Sequence, residues 1–213
     1  MESSYSLSAA HGGDVTSLVL VPCIASKVSL PIICAGGIAN GGGLLAMLSL
    51  GADGVAMGSR FSTTVESPLA ESIKLAIVNH SENDTIYGKN FDGLYARVLK
   101  TKSSVDAMRR PMNPVLAAMK SFEAAKMINM PLWKVLPGLL MQWDKMYQLS
   151  LFGAATSKLI AATVHGDLEE GVQFVGQSQG LINDIPTVQE LVDRCLAEAY
   201  ESHRRNHDRL NSS

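Results

Sequence analysis

No stretch of this chain is long and apolar enough to span a membrane, and Met1-Glu2-Ser3-Ser4 lacks the charged and apolar regions of a secretory signal. Basic runs are also missing. With 18 Lys and Arg against 20 Asp and Glu, the net charge is −2, which gives no electrostatic footprint for nucleic acid. The one basic cluster, His203 to Arg209, reads as the frayed, solvated end of a helix. Cysteine is scarce. Cys23, Cys34 and Cys195 show no C-x-x-C spacing and sit in apolar segments, so they read as buried thiols in a reducing compartment. No pair of the five histidines has metal-ligand spacing with an acidic partner, and no internal repeat is visible. These absences predict an intracellular, cytoplasmic protein with no metal, nucleic-acid or membrane partner.

What is present is a hydrophobic content of 46% with 18% charged residues over 213 positions, enough for a core in one or two domains. The first part alternates strands and helices. Thr16 to Lys27 predicts a helix, with Pro22 at a break or near its start. Pro31 to Ala35 predicts a strand buried on both faces. Asn40 caps a helix over Leu44 to Leu50, stopped by Gly51. Gly54 to Met57 gives a second short strand, and Ser67-Pro68 opens another helix as cap and first residue. Strand, helix, strand, helix with short links implies parallel strands and the α/β class.

The middle changes character. Asn79 to Asn90 is polar and turn-rich, and Phe91 to Lys100 predicts a short extended piece. Met108 to Met146 holds most of the ten methionines and is punctuated by Pro111, Pro114, Pro131 and Pro137, which predicts helices broken by prolines. Those methionines read as core packing or as a pliable wall over an apolar ligand. Towards the end, Glu169 to Val175 predicts a short helix and Gln177-Ser178-Gln179-Gly180 a polar loop. Thr187 caps a long amphipathic helix with Val188, Leu191, Val192, Cys195, Leu196 and Ala199 on one face.

The glycines carry the functional signal. Gly36-Gly37 ends one predicted strand and Gly58-Ser59 ends the next, one βα unit later. Ligands of parallel α/β proteins bind at that strand edge, where bare backbone can turn its N–H groups towards an anion. Either pair alone reads as a tight turn. Together they read as a phosphate clamp, with Ser59 as a further donor and the helices opening at Asn40 to Gly43 and after Phe61 adding N–H groups. The triple Gly41-Gly42-Gly43 costs helix stability, on the order of 1 kcal/mol per interior glycine, which makes sense if something must come close. His11, before Gly12-Gly13-Asp14, is either an ordinary surface residue or a group reaching the same mouth and titrating near neutrality.

In order and spacing, His11-Gly12-Gly13, Pro31 to Gly41, Gly51 to Phe61, Glu66-Ser67-Pro68 and Gly176 to Ile182 resemble the nitronate monooxygenases, formerly called 2-nitropropane dioxygenases. The likeness is strong from Ala9 to Pro68, weak through the Met-rich middle, and recovers near Gly171. It implies the C-terminal portion of an FMN-binding (β/α)8 TIM barrel with an inserted, mainly helical lid. Residues 1–80 would form the partial barrel, 81–170 the lid, and 171–213 the helices returning to the barrel. It further implies FMN as cofactor, with Gly36, Gly37, Gly58 and Ser59 on its phosphate, Ala9 beside the flavin ring, and His11 as the active-site histidine. His11 would deprotonate a nitroalkane or orient a nitronate. The flavin would pass electrons to O2 as the substrate becomes a carbonyl compound and nitrite.

Two departures accompany the resemblance. Tyr5 to Ala10 replaces the family's Glu- and Gly-rich run before the histidine. A barrel needs eight strands in roughly 250 residues, so the chain is expected to be truncated, completed by a missing N-terminal half or by homo-oligomerisation. Two alternatives stand beside nitronate oxidation. One is a related FMN barrel reducing an enoyl thioester or a quinone with NAD(P)H. The other is a non-catalytic remnant that needs a partner chain.

Overall fold

The structure, a computed structural model, describes residues 15–109 and 155–212. The chain is mixed α/β and divides into two units: Met1–Thr85 with Val175–Ser213, and Ile86–Phe174. The expected proline-broken helices of the Met-rich segment lie almost wholly outside the described residues.

In the first unit, helix α1 (Ser17–Ala25) leads to strand β1 (Ile33–Ala35), helix α2 (Gly41–Ser49) and strand β2 (Gly54–Ala56). The strands are parallel, with Ile33 opposite Gly54 and Ala35 opposite Ala56. Asp53 sets that register. Its N–H donates to the Ile32 carbonyl and its Oδ2 accepts from the Ile32 N–H, both at 2.8 Å. Val21, Cys34, Ile38 and Ala52 form the core here, joined by Met47, Leu50, Val55 and Met57. Cys34 and Cys195 are buried, and desolvation pushes both thiols up; Cys23 is exposed, against the expectation of three buried thiols. Only Cys34 of β1 is buried. Ile33 is 63% exposed, so the strand is not covered on both faces. Pro22 lies inside α1 rather than near its start, which removes an amide donor from a helix only nine residues long.

Asn40 caps α2 as expected, its Oδ1 accepting from the Gly43 N–H at 2.9 Å. The helix begins at Gly41 and packs along the last helix, α6 (Val188–Asn211). Gly41 is the contact point. A Cβ there would collide with the Cys195 carbonyl oxygen and lie 2.6 Å from the Ala199 nitrogen. The Gly41 N–H donates to Glu198 Oε2 at 2.8 Å.

Helix α3 (Gly58–Ser62) follows β2 directly. The next helix, α4 (Glu71–Val78), does not start at Ser67-Pro68. Tertiary contacts take that segment instead. Val65 N–H donates to the Pro186 carbonyl, and both Glu66 carboxylate oxygens accept from the Val188 N–H at the start of α6. Ser67 Oγ meanwhile accepts from the Leu69 N–H. Helix α6 carries a full capping box, Thr187 with Glu190, and runs through the basic cluster to Asn211; His203 to Arg209 are exposed there, the expected solvated helix end. On it Leu191 and Cys195 are buried, while Leu196 is half-exposed.

A buried cation fastens α3 to the segment leading into α6. Arg60, 2% exposed, donates to the Asp184 carbonyl at 3.0 Å and to Asp184 Oδ1 at 2.6 Å. Arg194 of α6 grips Asp184 Oδ2 at 2.6 Å. Hydrogen bonds from Arg194 and then Arg60 hold the Asp184 carboxyl below the usual carboxylate range.

In the second unit, strands β3 (Thr85–Gly88) and β4 (Ala96–Leu99) pair and are followed by helix α5 (Lys102–Arg109). Thr85 itself belongs to the first unit. The segment from Glu169 is not the expected helix. Asp167 Oδ1 accepts from the Glu169 and Glu170 N–H groups, making a turn. Beyond it the chain runs alongside β4, with Leu99 N–H donating to the Gln173 carbonyl and Phe174 bridging Val98. Sheet pairing outcompetes local helix preference there. Among the described residues, no helix is long and apolar enough to cross a membrane.

Two stability predictions follow from these contacts. Gly41→Ala should destabilise the protein by about 1–3 kcal/mol, because the added methyl must push α6 away; an unchanged urea midpoint contradicts the close contact. Asp184→Asn should cost roughly 1–3 kcal/mol, discounted for the partial exposure of its carboxylate. A depressed carboxylate stabilises above its unfolded value, near ~3.9, and that stability is lost as pH falls through the folded value. The gap between wild type and variant, followed by denaturation at several pH values, should therefore close in acid.

Candidate functional site

Parallel register places Gly36-Gly37 and Gly58-Ser59 at the same end of adjacent strands. Gly36 and Gly37 have φ of +96° and +76°, a left-handed backbone that side chains disfavour, so the turn after β1 requires them. Space is a separate matter. Among the described residues, a Cβ at Gly37 or at Gly58 would meet nothing within 4 Å. Gly58 also has no positive φ, so neither backbone conformation nor packing among the described residues explains its glycine.

Ser59 has a defined hydrogen-bonding role. Its Oγ accepts the Gly176 N–H at 2.9 Å, which leaves the hydroxyl proton to donate elsewhere. As the first residues of a helix, Gly58 and Ser59 also present N–H groups without intrahelical partners. Bare backbone, open space and a donor hydroxyl make this strand end suited to a small anion such as a phosphate.

The triple glycine does something else. What comes close at Gly41 is α6 of the same chain, and the carboxylate of Glu198 occupies its N–H. Gly43 N–H is taken by Asn40. The start of α2, expected to add donors for an anion, spends at least these two internally and places a negative charge at its end.

Sequence reasoning missed the part played by Gly176 to Leu181. The expected polar loop is a 3-10 helix, Gln177–Leu181, in which Ser178 and Gln179 are buried. Gly176 meets Ser59, and Gln179 Nε2 donates to the Ser81 carbonyl at 2.6 Å and the Asp84 carbonyl at 3.3 Å. Gly180 lies against Glu82, where a Cβ would approach the Glu82 nitrogen to 2.7 Å. The glycines at both ends of Gly176-Gln177-Ser178-Gln179-Gly180 were the available signal, since they mark close backbone approach. The expected site residues Ala9 and His11 lie outside the described residues.

Comparisons with known proteins fit this arrangement. The family described as nitronate monooxygenase matches residues 8–198. The chain is 35% identical over 196 residues to the "(3aS,4S,5R,7aS)-5-hydroxy-7a-methyl-1-oxo-octahydro-1H-indene-4-carboxyl-CoA dehydrogenase" of Rhodococcus jostii, covering 89% of this chain and 55% of that protein. It is 44% identical over 88 residues to a "Probable nitronate monooxygenase" of Staphylococcus aureus, covering 41% of this chain and 25% of the relative. Among solved structures it resembles FabK from Thermotoga maritima, with a TM-score of 0.69 and 31% identity over 95% of this chain and 55% of that one. The chain thus spans about half the length of curated relatives that match it over 89% of its residues. With the family match extending over most of its residues and the glycine-lined strand ends arranged as described, the chain belongs to the nitronate monooxygenase family.

Proposed function

We propose that this protein is an FMN-dependent oxidoreductase that oxidises alkyl nitronates with O2 to a carbonyl compound and nitrite. The observation carrying the flavin assignment is the pair of open glycines, Gly37 and Gly58, at one edge of two parallel strands. The residues fit a flavin phosphate. In this reading Gly36, Gly37 and Gly58 let it approach the backbone, and Ser59 donates its hydroxyl proton to it. Glu198 disfavours the phosphate at the start of α2, so the start of α3 takes that role.

When bound, FMN would supply the electron-transfer chemistry with O2 that the side chains lack. The chain supplies position and proton handling. Ala9 leaves room beside the flavin ring. His11 removes the α-proton of a neutral nitroalkane, or orients a nitronate that is already anionic. We assign residues 1–80 to part of a (β/α)8 barrel, 81–170 to an inserted, mainly helical lid, and 171–213 to the returning helices. The rest of the barrel wall comes, in this reading, from an N-terminal half or from a second copy of the chain.

A second reading has its own support. The match to the CoA dehydrogenase runs along 89% of the chain, whereas the nitronate monooxygenase match covers 41%. A thioester substrate handled with NAD(P)H on the same FMN site is therefore the alternative. Oxygen uptake on a nitronate without NAD(P)H separates the two.

Gly58→Val is the cleaner test of the clamp, because no positive φ complicates folding there. It should weaken FMN binding on the order of tenfold or more, the worth of a displaced charge-assisted hydrogen bond or two. Wild-type FMN affinity in the folded variant, followed by flavin absorbance, would falsify the assignment. His11→Gln should slow oxidation of a neutral nitroalkane by about 100-fold or more while sparing the preformed nitronate. Oxygen consumption on each substrate measures both, and equal loss on both assigns His11 to orientation alone.

A further inference from the structure

The short motif from Gly176 to Gly180 faces two ways. Gln179 and Gly180 turn to Ser81, Glu82 and Asp84. Gly176 and Ser178 turn to Ser59. The Gly176 N–H fills the Ser59 oxygen at 2.9 Å. A Cβ at Gly176 would lie 3.5 Å from Ser178 Oγ and 3.6 Å from Ser59 Oγ, so the two hydroxyls flank one bare stretch of backbone.

Two features of this corner go beyond what the fold asks for. Glycine at 176 is needed neither for conformation nor for packing among the described residues. Its φ is −85°, and both flanking distances are ordinary van der Waals contacts. The second feature is Ser178. It is only 7% exposed, and among the described residues its Oγ makes no hydrogen bond. A hydroxyl withdrawn from water ordinarily finds a partner, because leaving the bond unmade costs the desolvation of the group. Ser59 is in a complementary state, with its oxygen engaged and its proton still to be donated. Two donors on either side of a missing side chain call for an acceptor group with more than one oxygen. Gly176 is half-buried and Gly58, next to Ser59, is exposed, so the corner opens on the glycine-lined strand end.

We propose that the turn from Gly176 to Ser178 is a second wall of the phosphate site, with Ser178 donating its hydroxyl proton to the phosphate opposite Ser59. The proposal rests on the flavin reading above and adds a segment from the far side of the second unit to the site.

The test compares FMN with riboflavin, which lacks the phosphate, by flavin fluorescence titration of the whole chain. Wild type is set against Ser178→Ala and Gly176→Ala, with urea midpoints to verify folding. Ser178→Ala should lower FMN affinity about tenfold or more, the scale of one hydrogen bond to a charged group, and leave riboflavin affinity unchanged. Gly176→Ala keeps both hydroxyls but fills the space between them, so it should show the same split, and it carries the comparison should Ser178→Ala lose stability. Wild-type FMN affinity in a folded Ser178→Ala overturns the proposal. Equal losses for FMN and riboflavin also overturn it, by assigning Ser178 to support of the fold. Either result leaves the flavin reading standing, whereas a wild type that does not bind FMN removes that reading and this one together.

Discussion

A guanidinium taken out of water must find a carboxylate, and in this chain that requirement joins the two ends of the first unit. Arg60 lies two residues beyond Gly58, and its partner Asp184 lies four residues before α6. Were the pair to part, Arg60 would be left charged and buried, a far larger penalty than an exposed ion pair carries. The strand end with its open glycines is therefore fixed to the C-terminal helix. Arg194 grips the same carboxylate from α6, and Glu66 caps that helix from the loop after α3. The candidate clamp stands on this frame, because α3 cannot shift without disturbing Asp184.

The glycines of this region divide by what surrounds them. Gly36 and Gly37 serve backbone shape. Gly41 serves a helix crossing and has its amide taken by Glu198. Gly58 serves neither, and it has the strongest claim to a ligand. Composition cannot draw these distinctions, since each is simply a missing side chain until the neighbours are known. The same separation shows that two N–H groups at the start of α2 are already taken, by Glu198 and Asn40.

Local chemistry was legible where it acted alone. Asn40 and Thr187 cap the helices their side chains predict, and the apolar runs after Pro31 and at Gly54 are strands. It failed wherever a distant segment competed. Ser67-Pro68 looks like a helix start, but Glu66 is drawn to Val188. Glu169 to Val175 looks helical, but β4 offers its residues sheet pairing. Gln177 to Gly180 looks like solvent-facing loop, yet Gln179 is buried on the carbonyls of Ser81 and Asp84. In each case the deciding partner lies far along the chain, beyond the reach of a window of neighbours. The family motifs were legible because they recur in fixed order, and they mark backbone approach better than they mark substrate.

Gln179 joins the stretch where the chain leaves the first unit to the stretch where it comes back. The neck of the intervening segment is thus closed from within the first unit, by that side-chain amide and by the contact of Gly180 with Glu82. Closing a loop becomes only slowly costlier as it lengthens, by roughly 0.6 kcal/mol per doubling. A neck sealed from within the first unit can therefore tolerate wide variation in what hangs from it. The architecture is permissive in this respect: a change of length between Ile86 and Phe174 leaves the contacts that close this neck in place.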